Sequence, residues 1–358
     1  MKLGSVLPYF VSGSIFDRME YSHKIGLDYL QVFFFGDLND DHLTSVKQRA
    51  DELEIELGLG IHTLDPYSTS LRMDPDDLVD YARKMLHAAK LLGSSTVRTA
   101  IGSRQDRKTE QPIEAHIEAV VKNITAVRDL AMDLGIKIAV ENHAGDLTAR
   151  ELKGLVEEAG SDLVGVCLDN GNPCWLAESP FTTLETLAPY MLTAHIRDVS
   201  LWEHPRGAAW QLQPMGDGNI DIKAWSEYFI EHCPDAPFVL EIITGRPPVV
   251  INFLEPEFWE DLPQARASDL ARFVKLVKEG EPFMGPMLTT QSALRGGGDH
   301  IVGYLDAVKL QNRLHLESSV KYCQDILGIG EHKPQVELAQ TEMISAAELM
   351  ARMLKSSS

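Results

Sequence analysis

The chain has 358 residues, of which 44% are hydrophobic and 24% charged, as in an ordinary soluble globular protein. Its 33 basic and 53 acidic side chains give a net charge of −20. A chain this acidic lacks the basic footprint that binds nucleic-acid phosphates, so we expect no nucleic-acid partner. A small neutral substrate, or an anionic one held by a few local arginines, fits the charge balance better.

The sequence also predicts where the protein works. No apolar run approaches the roughly 20 residues of a membrane span, so we expect no membrane partner. The first segment, MKLGSVLPYF, is typical of a β-strand rather than a signal peptide. Four cysteines show no paired spacing: Cys167, Cys174, Cys233 and Cys323. We therefore expect a cytoplasmic protein with reduced thiols.

Short apolar segments alternate with helical patterns along the chain. The predicted strands cover residues 3–10, 27–35, 56–62, 95–102, 137–143, 163–171, 192–198 and 237–243. The predicted helices cover residues 74–93, 112–135, 148–160, 220–232 and 267–280. Eight apolar strands alternating with helices indicate an α/β fold, a (β/α)8 TIM barrel, with a doubly wound sheet as the competitor. No Gly-rich phosphate loop follows the first strand, which counts against a dinucleotide-binding sheet.

We divide the chain into a barrel that carries the site, residues 1–280, and a linker with a helical C-terminal extension, residues 281–358. The extension contains a linker-like stretch, 285–299, and two helical patterns, 299–328 and 341–354. It could cover the barrel, mediate oligomerisation or reach into a neighbour's site, and we expect a homo-oligomer. Two long irregular stretches, 199–221 and 244–263, are rich in Trp, Pro and Gly and predict ordered walls of a pocket.

Four of the predicted strands end in a side chain that can bind a metal ion. Glu141, Asp169, His195 and Glu241 are 28, 26 and 46 residues apart, and one β/α unit of a barrel takes roughly 30 residues. TIM-barrel active sites are built at the C-terminal ends of the strands. Three carboxylates and one imidazole suit a divalent metal ion, with Mn²⁺ as first choice and Mg²⁺, Co²⁺ or Fe²⁺ as alternatives. Without a cation between them, the three negative charges would repel one another.

This ligand set predicts chemistry beside a carbonyl group. A divalent metal ion would polarise a carbonyl and an adjacent hydroxyl and stabilise an enediolate. Carboxylates on either side of the reacting carbon could then remove and return its proton. His143 lies two residues after Glu141, on the same side of the strand, and is a catalytic candidate. The substrate-binding candidates, each of which could instead be a loop cap or an ordinary hydrogen-bonding group, are His62, Asn172, Arg197 and Asp198.

Five motifs, ENHAG, CLDNGNP, HIRD, MGDGNID and VLEI, together resemble the xylose-isomerase-like TIM barrel superfamily over roughly residues 1–280. That group includes sugar-phosphate isomerases and epimerases, ketose 3-epimerases and inosose dehydratase-type enzymes. The resemblance implies one divalent metal ion bound by the four ligands named above. It also implies that the two glutamates, Glu141 and Glu241, move the proton of the substrate, as they do in the epimerases.

The chain departs from the ketose 3-epimerases at three positions that hold the sugar in that subfamily. Leu147 replaces a glutamate, although Asp146 is adjacent, Asn172 replaces a histidine, and Leu201 replaces an arginine. These replacements argue against simple 3-epimerisation of a free ketose. Our principal expectation is an isomerase or epimerase acting on a sugar or sugar derivative. The alternatives are a lyase or dehydratase acting on a 3-keto-glycoside or inosose, and a catalytically silent barrel used as a binding subunit.

Overall fold

The computed structural model of the chain describes residues 1–34, 38–289 and 303–339. Eight parallel strands form a barrel, which confirms the predicted fold. In order around the barrel they are β1 (Leu3–Val6), β2 (Tyr29–Phe33), β3 (Glu56–Gly60), β4 (Thr96–Ala100), β5 (Lys137–Glu141), β6 (Val164–Asp169), β7 (Met191–His195) and β10 (Phe238–Leu240). β10 pairs with β1, and a parallel bridge between Ile196 and Leu240 joins β7 to β10.

Ten helices of the described residues accompany the strands. They are α1 (Ile15–Lys24), α2 (Asp40–Glu52), α3 (Leu78–Leu92), α4 (Ile113–Thr125), α5 (Arg128–Leu134), α6 (Ala149–Ala159), α7 (Pro180–Leu187), α8 (Ile222–His232), α9 (Ala267–Glu279) and α10 (Tyr304–Asp325). The pattern at 112–135, predicted as one helix, is two, α4 and α5, with a break around Val127. Within the described ranges, none of the helices combines the length and apolar character needed to cross a membrane.

Local signals set the helix ends. Thr148 begins α6 with a capping box, in which its hydroxyl accepts from the amide of Glu151 at 3.3 Å and the Glu151 carboxylate accepts from the amide of Thr148 at 2.8 Å. α3 ends at Gly93, whose φ of +69° lies in the left-handed region that glycine adopts at no steric cost. These ends place each following strand so that its C-terminus reaches the same rim of the barrel.

A three-stranded antiparallel sheet stands above that rim, where the sequence predicted irregular loops. β8 (Asp198–His204) and β9 (Gly207–Gln213) form a hairpin, and β11 (Val249–Ile251) pairs with the outer side of β9. Every residue of β9 is buried, so this strand shows none of the polar alternation by which a surface hairpin is recognised. The Trp210 ring of β9 meets Trp175 edge to face, with centroids 5.4 Å apart. The predicted loops are thus ordered, but as a sheet.

Helix α10 packs against the outside of the barrel. The Glu317 carboxylate accepts from the Tyr21 hydroxyl of α1 at 3.0 Å, and the Ser319 hydroxyl accepts from the amide of Met215 at 3.1 Å. Leu316, Val320 and Cys323 are buried in the same core as the barrel side chains. The other predicted C-terminal helix, 341–354, lies outside the described residues, as does most of the linker-like stretch. The proposed boundary after residue 280 stays a prediction.

Candidate active site

The four predicted ligands converge at the C-terminal rim of the barrel. Glu141, Asp169 and His195 each end a strand, and Glu241 directly follows β10. The strand register places Asp169 opposite His195. One ligating atom each from Asp169, His195 and Glu241 lies within 4.8 Å of the others. Glu141 joins them, because its Oε2 lies 3.0 Å from His195 Nδ1.

The orientation of His195 decides what this cluster can bind. Its Nε2–H donates to Gln31 Oε1 at 2.6 Å, which leaves the lone pair on Nδ1. Nδ1 is buried without a hydrogen-bond partner and lies 3.0 Å from Glu141 Oε2 and 3.5 Å from Glu241 Oε2. Three carboxylates and a nitrogen lone pair therefore face one another, and all of them are acceptors.

These residues fit a divalent metal ion. Ligand atoms about 2.1 Å from a metal and at right angles to each other lie roughly 3.0 Å apart, close to the observed spacings around His195 Nδ1. A buried acceptor that lacks a donor is costly unless a cation satisfies it. Cys167 also lies nearby, but burial raises the pKa of its thiol well above the ordinary value. A neutral thiol is a poor ligand, so the set favours a hard or borderline cation.

Two arginines enter the cluster, and only one of them was a predicted site residue. Arg98 on β4 donates to Glu141 Oε2, and the Nη2 group of Arg197 donates to both Asp169 and Glu241. Burial alone would raise the pKa of Glu141, but the charge of Arg98 outweighs it and holds that pKa well below the usual range. Sequence reasoning missed Arg98, although an arginine inside a core strand signals a buried carboxylate partner.

Two asparagines, also not predicted, align the strand ends. Asn142, next to Glu141, exchanges two 2.8 Å hydrogen bonds with the backbone of Asp169. Asn170, next to Asp169, does the same with the backbone of Arg197, at 2.7 and 3.0 Å. Glu141 and Asp169 are thus each tied to the segment of the next strand by the asparagine that follows them. The signal was in the sequence, as an Asn directly after each of the first two ligands.

His143 and His62 lie on one side of the cluster. The His143 Nδ1–H donates to the carbonyl of Gly102, so Nε2 is the acceptor nitrogen of the neutral ring. His143, His62 and Arg98 together line a cavity of about 260 Å³. This position suits the predicted contacts with substrate, which remain predictions.

Asn172 and Asp198 differ in what they contact. The backbone amide of Asn172 donates to Asp169 Oδ1 at 2.9 Å. Its side-chain Nδ2 donates to Glu141 Oε1 at 3.4 Å, so Asn172 contacts two of the predicted ligands. Asp198 instead accepts backbone hydrogen bonds from Val199, Gly216 and Gly218 and holds the MGDG loop. Burial raises the pKa of Asp198 to about 7. These contacts agree with the alternative that Asp198 is a loop cap, and a contact of Asp198 with substrate stays a prediction.

Two positions that hold the sugar in ketose 3-epimerases are closed off here. Leu147 and Leu201 are 3% and 0% exposed and belong to the hydrophobic core. The neighbouring Asp146 accepts from the amides of His143, Leu147 and Gly102, and burial raises its pKa to about 7. Its oxygens are thus used by the backbone, and the substrate must be held by other groups.

A larger cavity, of about 650 Å³, is lined in part by the segments that follow Asp169 and Glu241. Trp175, Trp210, Thr244, Arg246 and Asn312 are among the side chains that line it. Its volume lies in the range of small-molecule sites. The walls come from the segment after β6, from β9, from the segment after β10 and from α10, so the ordered sheet and the C-terminal helix both shape it.

Fold and site together define a TIM barrel with a cluster of acidic side chains and a histidine at its C-terminal rim that could hold a metal ion. The chain matches the Xylose isomerase-like TIM barrel family over residues 19–275 and belongs to it. It is 25% identical over 207 residues to the uncharacterized protein YihM of Escherichia coli K12, which is 58% of this chain and 57% of that protein.

Two further relatives differ in the reactions they are named for. One is a 3-oxo-isoapionate decarboxylase of Pectobacterium atrosepticum, 24% identical over 161 residues, which is 45% of this chain and 51% of the enzyme. The chain therefore matches between half and three fifths of the length of these curated relatives. The other is the structure of a D-psicose 3-epimerase with D-tagatose from Clostridium cellulolyticum H10, with a TM-score of 0.54 and 18% identity, covering 77% of this chain and 96% of that one. This structural likeness shows the shared fold.

Proposed function

We propose that the protein is a divalent-metal-dependent isomerase or epimerase that acts on a sugar or sugar derivative through an enediolate. The observation that carries this proposal is the cluster around His195 Nδ1, a buried nitrogen without a hydrogen-bond partner that lies 3.0 and 3.5 Å from oxygens of Glu141 and Glu241 and close to Asp169. Such a cluster is built for a cation. Its place at the C-terminal rim of a barrel is where this fold performs catalysis.

The metal would be held by Glu141, Asp169, His195 and Glu241, with Mn²⁺ as our first choice. When bound, a divalent ion polarises a carbonyl and its neighbouring hydroxyl and so favours loss of the proton between them. The chain supplies the orientation of the ligands. Gln31 fixes the tautomer of His195, and the backbone amides of Gly171 and Asn172 fix Asp169 through its Oδ1 at 2.8 and 2.9 Å.

In our proposal, Glu141 and Glu241 move the proton. Glu141 and Glu241 come from strands β5 and β10, which are three positions apart around the barrel, so a substrate between them presents a different face to each. Arg98 keeps Glu141 ionised and thus able to accept a proton. The Glu241 side chain is 19% exposed and can reach a substrate from the open side. His143 Nε2 is a third acceptor.

The second candidate function is a lyase. Such an enzyme either forms the same enediolate and then eliminates water or an aglycone, or forms the enediolate by releasing CO₂. The specific observation in its favour is that Leu147 and Leu201 close two sugar-holding positions of the ketose epimerases, while a 650 Å³ cavity opens elsewhere. The decarboxylase relative is an enzyme of this class. A substrate larger than a free ketose fits that cavity.

Incubation in D₂O separates the two functions. Purified Mn²⁺-loaded protein is tested by NMR and mass spectrometry on keto-sugars, 3-keto-glycosides and keto sugar acids. Solvent deuterium beside the carbonyl of a product with unchanged composition supports the isomerase. Release of water, an aglycone or CO₂ contradicts it and supports the lyase. Absence of both Mn²⁺ binding and turnover contradicts both and leaves a silent barrel.

A further inference from the structure

Two cavities near the ligand cluster have basic side chains on their walls. Arg246 and Lys309 line the larger one, and Arg98 lines the smaller one. In the described parts of the chain, neither cavity is lined by an Asp or Glu. This is unexpected in a protein with 53 acidic and only 33 basic side chains. Lys309 is paired with Asp306 at 3.6 Å, so Arg246 is the unpaired positive charge on the wall of the larger cavity among the described residues.

Arg197 connects the ligand cluster with the larger cavity. Its side chain is 5% exposed, its Nη2 contacts Asp169 and Glu241, and its Nε is buried without a hydrogen-bond partner. Arg197 lies over Gly171, where an added Cβ would be 3.3 Å from both Arg197 Cδ and Leu212 Cδ2. Leu212 is a wall residue of the larger cavity. The guanidinium therefore lies between the metal ligands and that cavity, with one donor unused.

Arg246 faces the same region without a carboxylate of its own. Among residues 1–34, 38–289 and 303–339, no Asp or Glu forms an ion pair with it. Gln211 anchors its main chain, donating to the Arg246 carbonyl at 3.0 Å. Partial burial lowers the pKa of Arg246, and the charge of Arg197 lowers it further. The two guanidinium groups repel each other, and an anion bound between them would stabilise both.

We propose that the substrate carries a carboxylate bound by Arg246 and Arg197, so that its class is a keto sugar acid and not a neutral sugar. This inference rests on the proposed function and narrows its substrate. A planar carboxylate matches the fork of a guanidinium. Arg197 touches two metal ligands, so the anion lies within a few bonds of the reacting carbonyl. A phosphate on the far end of a five- or six-carbon sugar would lie farther away, which favours the carboxylate.

The test is a calorimetric titration of the Mn²⁺-loaded protein with three probes: D-gluconate, its neutral counterpart D-glucitol, and glucose 6-phosphate. We expect gluconate to bind at least about tenfold more tightly than glucitol, since hydrogen bonds to charged groups carry that much affinity. Equal binding of gluconate and glucitol, or no binding of gluconate, overturns the inference. Tighter binding of glucose 6-phosphate than of gluconate also overturns it, in favour of a phosphate.

Variants show which arginine is responsible. Arg246→Gln should weaken gluconate binding tenfold to a hundredfold and leave glucitol binding unchanged. The matched control is Arg206→Gln, which removes the same charge from an exposed position on the β8–β9 turn. An equal loss in both variants would indicate a general charge effect and overturn the assignment. A titration with Mn²⁺ alone tests the metal site separately, so failure of the proposed function and failure of this inference are distinguishable.

Discussion

The tautomer of His195 makes the metal site testable through a residue that does not touch the metal. In Gln31→Leu, the Nε2–H of His195 loses its buried acceptor at 2.6 Å. The proton can then move to Nδ1, which lies 3.0 Å from Glu141 Oε2 and can donate to it. Nδ1 would have to lose that proton before it could bind a metal. We therefore expect Gln31→Leu to weaken Mn²⁺ binding while Glu141, Asp169 and Glu241 all remain.

The size of the effect follows from the lost hydrogen bond. Removal of an outer partner of a metal-ligating histidine typically costs about 10- to 100-fold in metal affinity. That corresponds to roughly 1.4–2.7 kcal/mol. An unmade buried hydrogen bond costs about 1–3 kcal/mol, which gives the same range. Gln31→Glu keeps an acceptor facing Nε2 and should bind Mn²⁺ at least as tightly as the native protein.

The assay is a Mn²⁺ titration by calorimetry, with the melting temperature of the metal-free protein as a check of folding. The matched control is Ser226→Ala, since the Ser226 hydroxyl is equally buried, on α8, and has no hydrogen-bond partner. We expect its Mn²⁺ affinity to be unchanged. If Gln31→Leu bound Mn²⁺ as tightly as the native protein, His195 would not bind the metal through Nδ1 and the reasoning would be refuted.

Three further predictions concern the site and its surroundings. Glu141→Gln and Glu241→Gln should each lower turnover by at least about 100-fold, the usual contribution of a proton-transferring group, and full activity of either would exclude it as an acid–base residue. His143→Ala should retain Mn²⁺ binding and lose turnover; loss of Mn²⁺ binding instead would make His143 a support of the ligands. The Glu178 carboxylate accepts from the amide of Ala149 and the hydroxyl of Thr183, and burial raises its pKa from 4.5 to about 7. The folded state thus binds its proton more tightly, and stability falls as the pH rises from about 4.5 to about 7. Glu178→Gln should show a smaller fall in melting temperature between about pH 5 and about pH 8, and equal falls would contradict the assignment.

The barrel was predictable because it depends on two patterns in the sequence, the apolar character of buried strands and the regular spacing of the β/α units. Parallel barrel strands are covered on both faces, so they read as apolar runs, and their spacing recurs with the β/α unit. Helix α1 was not predicted, although Ser14 and Asp17 form a capping box at its start, which is a signal in the sequence. The β8–β9 hairpin was predicted as a loop, because the full burial of β9 removes the alternation that marks such strands.

The convergence of the four predicted ligands was predictable because three of them end a strand and Glu241 directly follows one, whereas the arginines depend on tertiary pairing. Arg98 meets a carboxylate 43 residues further along the chain. The register of β4 with β5 sets Ala100 opposite Glu141, and this places Arg98 on the face that reaches the ligand. Arg197 was predicted to contact substrate, and its bonds to Asp169 and Glu241 could not be read from the spacing. Such contacts follow only once strand order and register are known.

The arginines change what the same four ligands can hold. Glu141, Asp169 and Glu241 contribute three negative charges, and Arg98 and Arg197 contribute two positive ones, which leaves −1 with His195 neutral. A divalent cation brings this sum to +1. Without the arginines, the loaded site would be at −1, and an added carboxylate would be repelled. With them, a substrate that carries one carboxylate returns the buried charge to zero, whereas a neutral sugar leaves a positive charge uncompensated. In our proposal, the charge of the loaded cluster and Arg246 on the wall of the larger cavity would therefore favour the same class of substrate, a sugar acid.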